Sequence, residues 1–460
     1  MLEPSKKDNP NPSLTVDPPK PARLLMSFIL NRMIDPKRAQ KKRDAAEAKR
    51  QSTNAPHRVD YYHQLDDPYS HLSAKKLTAL AAAYDIEIVP HLIIATGGKN
   101  QPYPEQLADY ARRDAAAVAP HYNISFPGNA GTLPSDADRL LAARILAEAS
   151  PTDFVDRVAP VSDLLWVGDH TALLALADEV GTVSEKEATQ RLEQDSAILQ
   201  KEGHYSGGTF QYAGEWFWGI DRLYHLEARL EERGAKKEGA QPVAPRPAID
   251  PGLVKDNGSI TLEIFPSLRS PYTSIIFDKA CDLAEQSGVK FIIRPVLPMV
   301  MRGVPATQNK GQYIFTDTKR EADALGVGYG PVYDPIGEPV RRACSLFPWA
   351  TSQGKGGELL SAFLDAAFRK AVRIDSDKGM KKVVEAAGLP WKEAKKHLDS
   401  EDWKAEVEEN QRVMSEDMGL WGVPSFRVSS PDGEPDFTAW GQDRLWLVAE
   451  EIKRRIAAAA

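Results

Sequence analysis

The sequence predicts an α/β protein of two like domains. Each opens with a β-α-β unit, runs through a long helical stretch and closes with a hairpin and a helix. Three observations predict this. The two halves of the chain resemble each other, an aperiodic Pro-rich stretch separates them, and in each half the apolar period switches between about two and about 3.6 residues. A length of 460 residues allows two or three domains, and 42% apolar residues suffice for packed cores, which excludes a disordered chain.

Residues 1–56 begin polar and Pro-rich (Pro10, Pro12, Pro18, Pro19, Pro21) and then carry a basic run, Asp35 to Arg43. This segment is expected to be a mobile N-terminal arm with a solvated basic helix; an anionic partner or a membrane surface is the other reading of the run. The first domain, 57–234, opens with a strand over Arg58–Leu65, passes Asp67-Pro68-Tyr69-Ser70 into an Ala/Leu-rich helix, and reaches a second strand over Ile86–Pro90. It closes from Gly208-Thr209-Phe210 through Phe217-Trp218-Gly219 into Ile220-Asp221-Arg222-Leu223. Residues 235–257, with Pro242, Pro245 and Pro247 and no apolar period, read as a linker.

The second domain, 258–460, repeats the order. A strand over Ile260–Phe265 leads through Ser270-Pro271-Tyr272 into a helix, and a second strand runs over Val289–Val296. Helical periodicity follows, including Leu359–Phe368 and Trp403–Met418, before Val423-Pro424-Ser425-Phe426 and Trp440-Gly441-Gln442-Asp443-Arg444-Leu445. A Pro directly before a strand removes a ladder donor, and a cis bond is the usual reason for tolerating it there, so Val423-Pro424 is expected to be cis. This order is the thioredoxin-like plan interrupted by a helical insertion, twice over. The fold class is therefore α/β, with two thioredoxin-like domains.

The second half resembles the DsbA-like superfamily, and within it the 2-hydroxychromene-2-carboxylate isomerases and kappa-class glutathione transferases. The resemblance rests on Ser270-Pro271-Tyr272, Arg294-Pro295-Val296-Leu297, Asn309-Lys310-Gly311-Gln312-Tyr313, Gly422-Val423-Pro424-Ser425-Phe426 and the Trp440–Leu445 segment, in the family's order. It implies a glutathione-dependent isomerase or transferase acting on a conjugated, aromatic-derived small molecule. Ser270 would be the catalytic residue, donating a hydrogen bond to the glutathione sulfur from a helix start whose dipole favours a thiolate. Val423, beside Pro424, would pair with the peptide backbone of glutathione. Asp443 would take its ammonium, Gln442 and the last helix's N–H groups its γ-glutamyl carboxylate, and Lys310 a glycyl or substrate carboxylate. Tyr272 and Tyr313 would face the substrate.

The first half resembles the same family with losses. Asp67 stands for Ser270, Gly208 for Pro424 and Ile220 for Gln442, while Asp221-Arg222-Leu223 survives. A carboxylate where the thiolate should sit opposes its charge, so this half is read as a degenerate repeat that kept the fold. The two halves could pair as an internal pseudo-dimer.

Rival readings fare less well. The only cysteines, Cys281 and Cys344, form no C-x-x-C and are expected in the core, which leaves no disulfide framework, zinc knuckle or dithiol chemistry. No His/Cys cluster suggests a metal, and the glycine runs at 326–330 and 354–357 lack dinucleotide or P-loop spacing and read as loops. A net charge of −7 disfavours nucleic acid. No apolar run approaches the roughly 20 residues of a spanning helix, and no leader pattern opens the chain, so a cytoplasmic location is expected. A non-catalytic binding or scaffold protein is the main alternative, favoured by the degenerate half and the basic arm.

Overall fold

The computed structural model describes residues 17–127 and 132–459. It divides into two compact units, one over Lys37–Pro247 and one made of residues 17–36 together with 248–459. The expectation of a mobile arm over 1–56 is corrected from residue 17 on. Helix α1, Lys20–Met33, packs on the second unit, and α2, Pro36–Ser52, belongs to the first. The buried face of α1 is Arg23, Ser27 and Leu30, followed by Ile34. Arg23 donates to the carbonyls of Asp334 and Ile336 at 3.0 and 2.6 Å, and Asn31 trades bonds with the Val332 backbone. Helix α2 buries none of its own residues.

In the first unit β1 (Arg58–Gln64) is followed by α3 (Pro68–Ala74), α4 (Leu77–Ala83) and β2 (Glu87–Ile93). The single helix expected there is broken at Lys75-Lys76. The insertion comprises α5 (Pro104–Val118), α6 (Asp136–Glu148), α7 (Pro151–Val167), α8 (His170–Val180) and α9 (Glu185–Glu202). Its ends are written in the sequence. Ser135, Ser150, Asp169 and Ser184 cap free N–H groups, Ser184 within a capping box, and Gly168 and Gly203 end helices in the left-handed region. Strands β3 (Thr209–Tyr212) and β4 (Glu215–Trp218) and helix α10 (Leu223–Glu232) close the unit. The sheet order is β2-β1-β3-β4, with β1 and β2 parallel and the other pairs antiparallel. The edge strand β2 does not stay bare: Asp195 and Ser196 of α9 accept from the N–H groups of Leu92 and Ile94 at 2.9 and 3.1 Å.

The second unit repeats this with β5 (Thr261–Phe265), α11 (Pro271–Ser287) and β6 (Lys290–Ile293). Its insertion holds α12 (Gln308–Leu325), α13 (Glu338–Ser352), α14 (Gly356–Phe368), α15 (Asp377–Ala386), α16 (Trp391–Ala394) and α17 (Trp403–Arg412), the last continued by a π turn over Val413–Asp417. Strands β7 (Ser425–Ser429) and β8 (Phe437–Trp440) then lead into α18 (Leu445–Ala459). The sheet order, β6-β5-β7-β8, is that of the first unit. One apolar core joins the sheet, α11, α13, α14 and α18, with Leu262, Ile264, Phe363 and Phe426 wholly buried. Of the two glycine runs expected as loops, Gly356 and Gly357 instead open α14.

The stretch expected as a linker is partly built into the units. Asp85 donates its N–H to Ala235 at 2.7 Å, and Val243 and Ala244 donate theirs to the buried Glu227 at 2.7 and 3.1 Å. Farther on, Asp256 anchors the entry to β5 through the Ile260 N–H at 2.8 Å. Among the described residues no helix is long and apolar enough to cross a membrane.

Candidate functional site

Ser270 caps α11. Its backbone is extended, its Oγ accepts from the Thr273 N–H at 3.2 Å, and Pro271 fills the first helical position, where no N–H is needed. The same hydroxyl points its proton at the Val423 carbonyl, 3.4 Å away, a long bond that leaves the donor lightly used. The Val423-Pro424 bond is cis, as expected, and a second cis bond, Gly330-Pro331, had no sequence expectation. Immediately beyond it β7 begins, and the Gly441 N–H donates to the Pro424 carbonyl at 2.9 Å. Gly422 is required here, since a Cβ would overlap the Trp440 indole. Trp440 in turn meets Trp421 at 5.0 Å between ring centres, and Arg302 holds the Trp421 carbonyl at 2.7 Å.

Helix α12 supplies the other wall of the second unit's site. Tyr272 donates to Asp317 at 2.8 Å, and Gln442 donates its Nε2 to Glu321 at 2.8 Å. Asp317 and Glu321 are fully buried and lie one helical turn apart, with Tyr313 and Lys310 one and two turns earlier on the same face. Gln442 gives one of its two Nε2 protons to the Glu321 carboxylate, and its Oε1 is buried with no partner among the described residues. That atom is an acceptor and suits an ammonium or N–H rather than a carboxylate. Asp443 keeps a quarter of its side chain exposed and sits 3.8 Å from Arg444. Lys310 is half-buried, and loss of hydration pulls its pKa down to about 8, which leaves it mostly protonated at neutral pH.

The structure therefore brings Ser270, Val423 and Pro424 together and sets Tyr272 and Gln442 against α12, which carries Tyr313 and Lys310. The sequence reading missed Asp317, Glu321 and Arg302. The only trace of the first two was a pair of acids four residues apart, which reads as a solvated face until their burial is known. Both cysteines are unsuited to thiol chemistry: burial pushes Cys281 and Cys344 up to about 12. No group of three or more His, Cys, Asp or Glu among the described residues could hold a metal.

The first unit carries the same frame with its site closed. Tyr69 donates to Asp114 at 2.8 Å, as Tyr272 does to Asp317, and the Gly219 N–H donates to Gly208 as Gly441 does to Pro424. Asp67 caps α3, accepting from the N–H groups of Tyr69 and Ser70 at 3.3 and 2.9 Å and from the Ser70 hydroxyl at 2.7 Å. Burial outweighs these bonds and raises its pKa to about 6. Gly207 and Gly208 stand where Val423 and Pro424 stand in the second unit. A Cβ on Gly207 would lie 2.4 Å from Gln64 Cβ, 2.8 Å from Ser70 Oγ and 3.3 Å from Asp67 Oδ2, so there is no room for a side chain beside the helix start.

Comparison with curated proteins gives no match. Among solved structures, the chain is similar to a 2-hydroxychromene-2-carboxylate isomerase at 17% identity, over 44% of this chain and 99% of that one, with a TM-score of 0.36. It is also similar to the cytosolic disulfide reductase DsbM from Pseudomonas aeruginosa at 18% identity, over 43% and 99% of the two chains, with a TM-score of 0.33. BdbD from Bacillus subtilis is matched at 12% identity, over 45% and 95%, with a TM-score of 0.30. The family model of the DSBA-like thioredoxin domain matches residues 261–453.

Proposed function

We propose that the second unit is a glutathione-dependent isomerase or transferase that acts on a conjugated, aromatic-derived small molecule. The observation that carries this is the lightly used Ser270 hydroxyl at the start of α11, set against the Val423 carbonyl, in a chain whose two thiols are both held protonated. Dithiol exchange needs a thiolate at that helix start, and Ser270 cannot provide one. The residues present fit a γ-glutamyl thiol: the buried Gln442 Oε1 and the carboxylate of Asp443 suit its ammonium, and the unpaired acceptor of Gln442 is otherwise a cost without a return.

When bound, glutathione supplies a thiolate that adds reversibly to a conjugated carbon and leaves again, or stays if the adduct is the product. Ser270 rotates its proton from Val423 to the sulfur and, with the positive end of α11, favours the ionised thiol. Val423 holds the peptide backbone in register beside that sulfur. Lys310 offers its ammonium to a carboxylate, and Tyr272, fixed by Asp317, orients its ring toward the substrate.

Titration calorimetry of the full chain with glutathione tests the reading, alongside Ser270→Ala and Asp443→Ala. Binding in the intact protein, loss of binding in Asp443→Ala, and a bound thiol pKa about one unit higher in Ser270→Ala support it. Absence of heat at millimolar glutathione overturns it.

A further inference from the structure

Away from that site, on the first unit, a cleft of about 340 Å³ lies between α2, the start of β1, the β3–β4 turn and α10. The volume falls at the low end of small-molecule sites, about 300–1,000 Å³. Its lining is strongly cationic. Arg43, Lys49, Arg50, Arg58, Arg229 and Arg233 face three carboxylates, Glu47, Asp60 and Glu215, although the whole chain carries a net charge of −7.

The pairing within the cleft leaves positive charge over. Arg50 is matched by Glu47 at 2.7 Å and Arg58 by Asp60 at 2.6 Å, but Asp60 also serves the buried His91 at 2.8 Å. Glu215 alone serves both Arg229 at 3.1 Å and Arg43 at 3.6 Å. The remaining partners of Arg229 and Arg233, Glu232 and Asp44, do not line the cleft, and their side chains are 38% and 55% exposed, where water screens them. The Nε of Arg43 is buried with no hydrogen-bond partner among the described residues, a donor that calls for an acceptor. Five of the six cations are Arg, whose planar fork matches the paired oxygens of phosphate and carboxylate groups, whereas Lys acts as a point charge.

We infer that this cleft binds a small, multiply charged oxyanion, with Arg43, Arg229 and Arg233 as its principal donors. Phosphate esters and clustered carboxylates share that chemistry. Arg43, the last residue of the basic run, thereby gains a function: with Glu47, Lys49 and Arg50 it forms the wall that α2 gives the site.

Calorimetry of the full chain with inorganic pyrophosphate, and separately with citrate, tests this. The expected result is micromolar binding of at least one, with the preference naming the oxyanion group. Arg43→Gln should weaken it at least tenfold, and Glu215→Gln, which removes a competing carboxylate, should tighten it several-fold. A gain in Glu215→Gln cannot come from misfolding. The double change Lys41→Gln and Lys42→Gln, on the exposed side of α2, should leave the affinity within twofold. Absence of binding to either anion at millimolar concentration overturns the inference, as does equal weakening in the Lys variant or no gain in Glu215→Gln.

Discussion

The Ser270 hydroxyl makes two bonds of unequal quality, accepting well from Thr273 and donating at 3.4 Å to Val423. Removing it in Ser270→Ala loses an N-cap and should cost about 1 kcal/mol in denaturant unfolding. Replacing it by Ser270→Cys should install a thiol whose pKa falls below the ordinary value of about 8.5, because the helix start favours the anion. The pH profile of alkylation by iodoacetamide reads this directly, since the native thiols, both near 12, stay silent at pH 7 to 8. An alkylation pKa at or above 8.5 would show that α11 gives a thiolate no help. Asp67, at the matching position of the first unit, behaves in the opposite sense. Its pKa rises from an ordinary 3.8 to about 6, so between those values the folded chain holds more proton than the unfolded one. Stability must then fall as pH rises from about 4 to about 6 and level off above, by on the order of 1–2 kcal/mol given the partial exposure of the group. Hydrogen exchange of the α3 amides across that range should show the slope, and Asp67→Ser should flatten it.

Local signals at the level of elements were strong wherever turn and cap chemistry wrote the boundary. The junction at Ser270-Pro271 located the start of α11, and the strand read over Arg58–Leu65 located β1 to within one residue. Helix α1 was hidden for a physical reason. Its docking stripe is Arg23, Ser27 and Leu30, with two polar residues inward, while Leu24, Leu25, Phe28 and Ile29 stay exposed, which inverts the usual amphipathic reading. The same inversion hid α12, where Asp317 and Glu321 occupy the buried face. Such buried polar contacts are costly to break one partner at a time. Arg23→Ala leaves the carbonyls of Asp334 and Ile336 without their donor and should destabilise the second unit by about 2–3 kcal/mol. The amides of Val332 and Asp334, which donate to Asn31 and Ser27 of α1, should exchange faster in that variant; unchanged exchange would mean that α1 does not dock as described.

Across the whole molecule one plan was used twice. The sheet orders agree, and each unit joins the Tyr after its helix-start Pro to an Asp 45 residues on. This duplication was legible in the sequence because it lies in local motifs whose order repeats. The donor state of Gln442 was not, because its partner Glu321 lies 121 residues away and only the fold brings them together. The first unit's difference was half legible: Asp67 announced an adverse charge, but the tight packing around Gly207 and Gly208 shows only in three dimensions. The difference has a consequence for stoichiometry. If charge alone silenced the first unit, Asp67→Ser would restore a glutathione site and calorimetry would count two per chain. Since even a Cβ on Gly207 would overlap Gln64 and Ser70 and come within 3.3 Å of Asp67 Oδ2, a hydroxyl at position 67 meets little space for a sulfur on that side. Under the proposed function, the count should therefore stay at one per chain in Asp67→Ser, with ligand-induced protection from exchange confined to α11, β7 and the start of α18. A second equivalent of glutathione in that variant would show that the first unit lost its chemistry to a single carboxylate, and that the glycines followed rather than caused the loss.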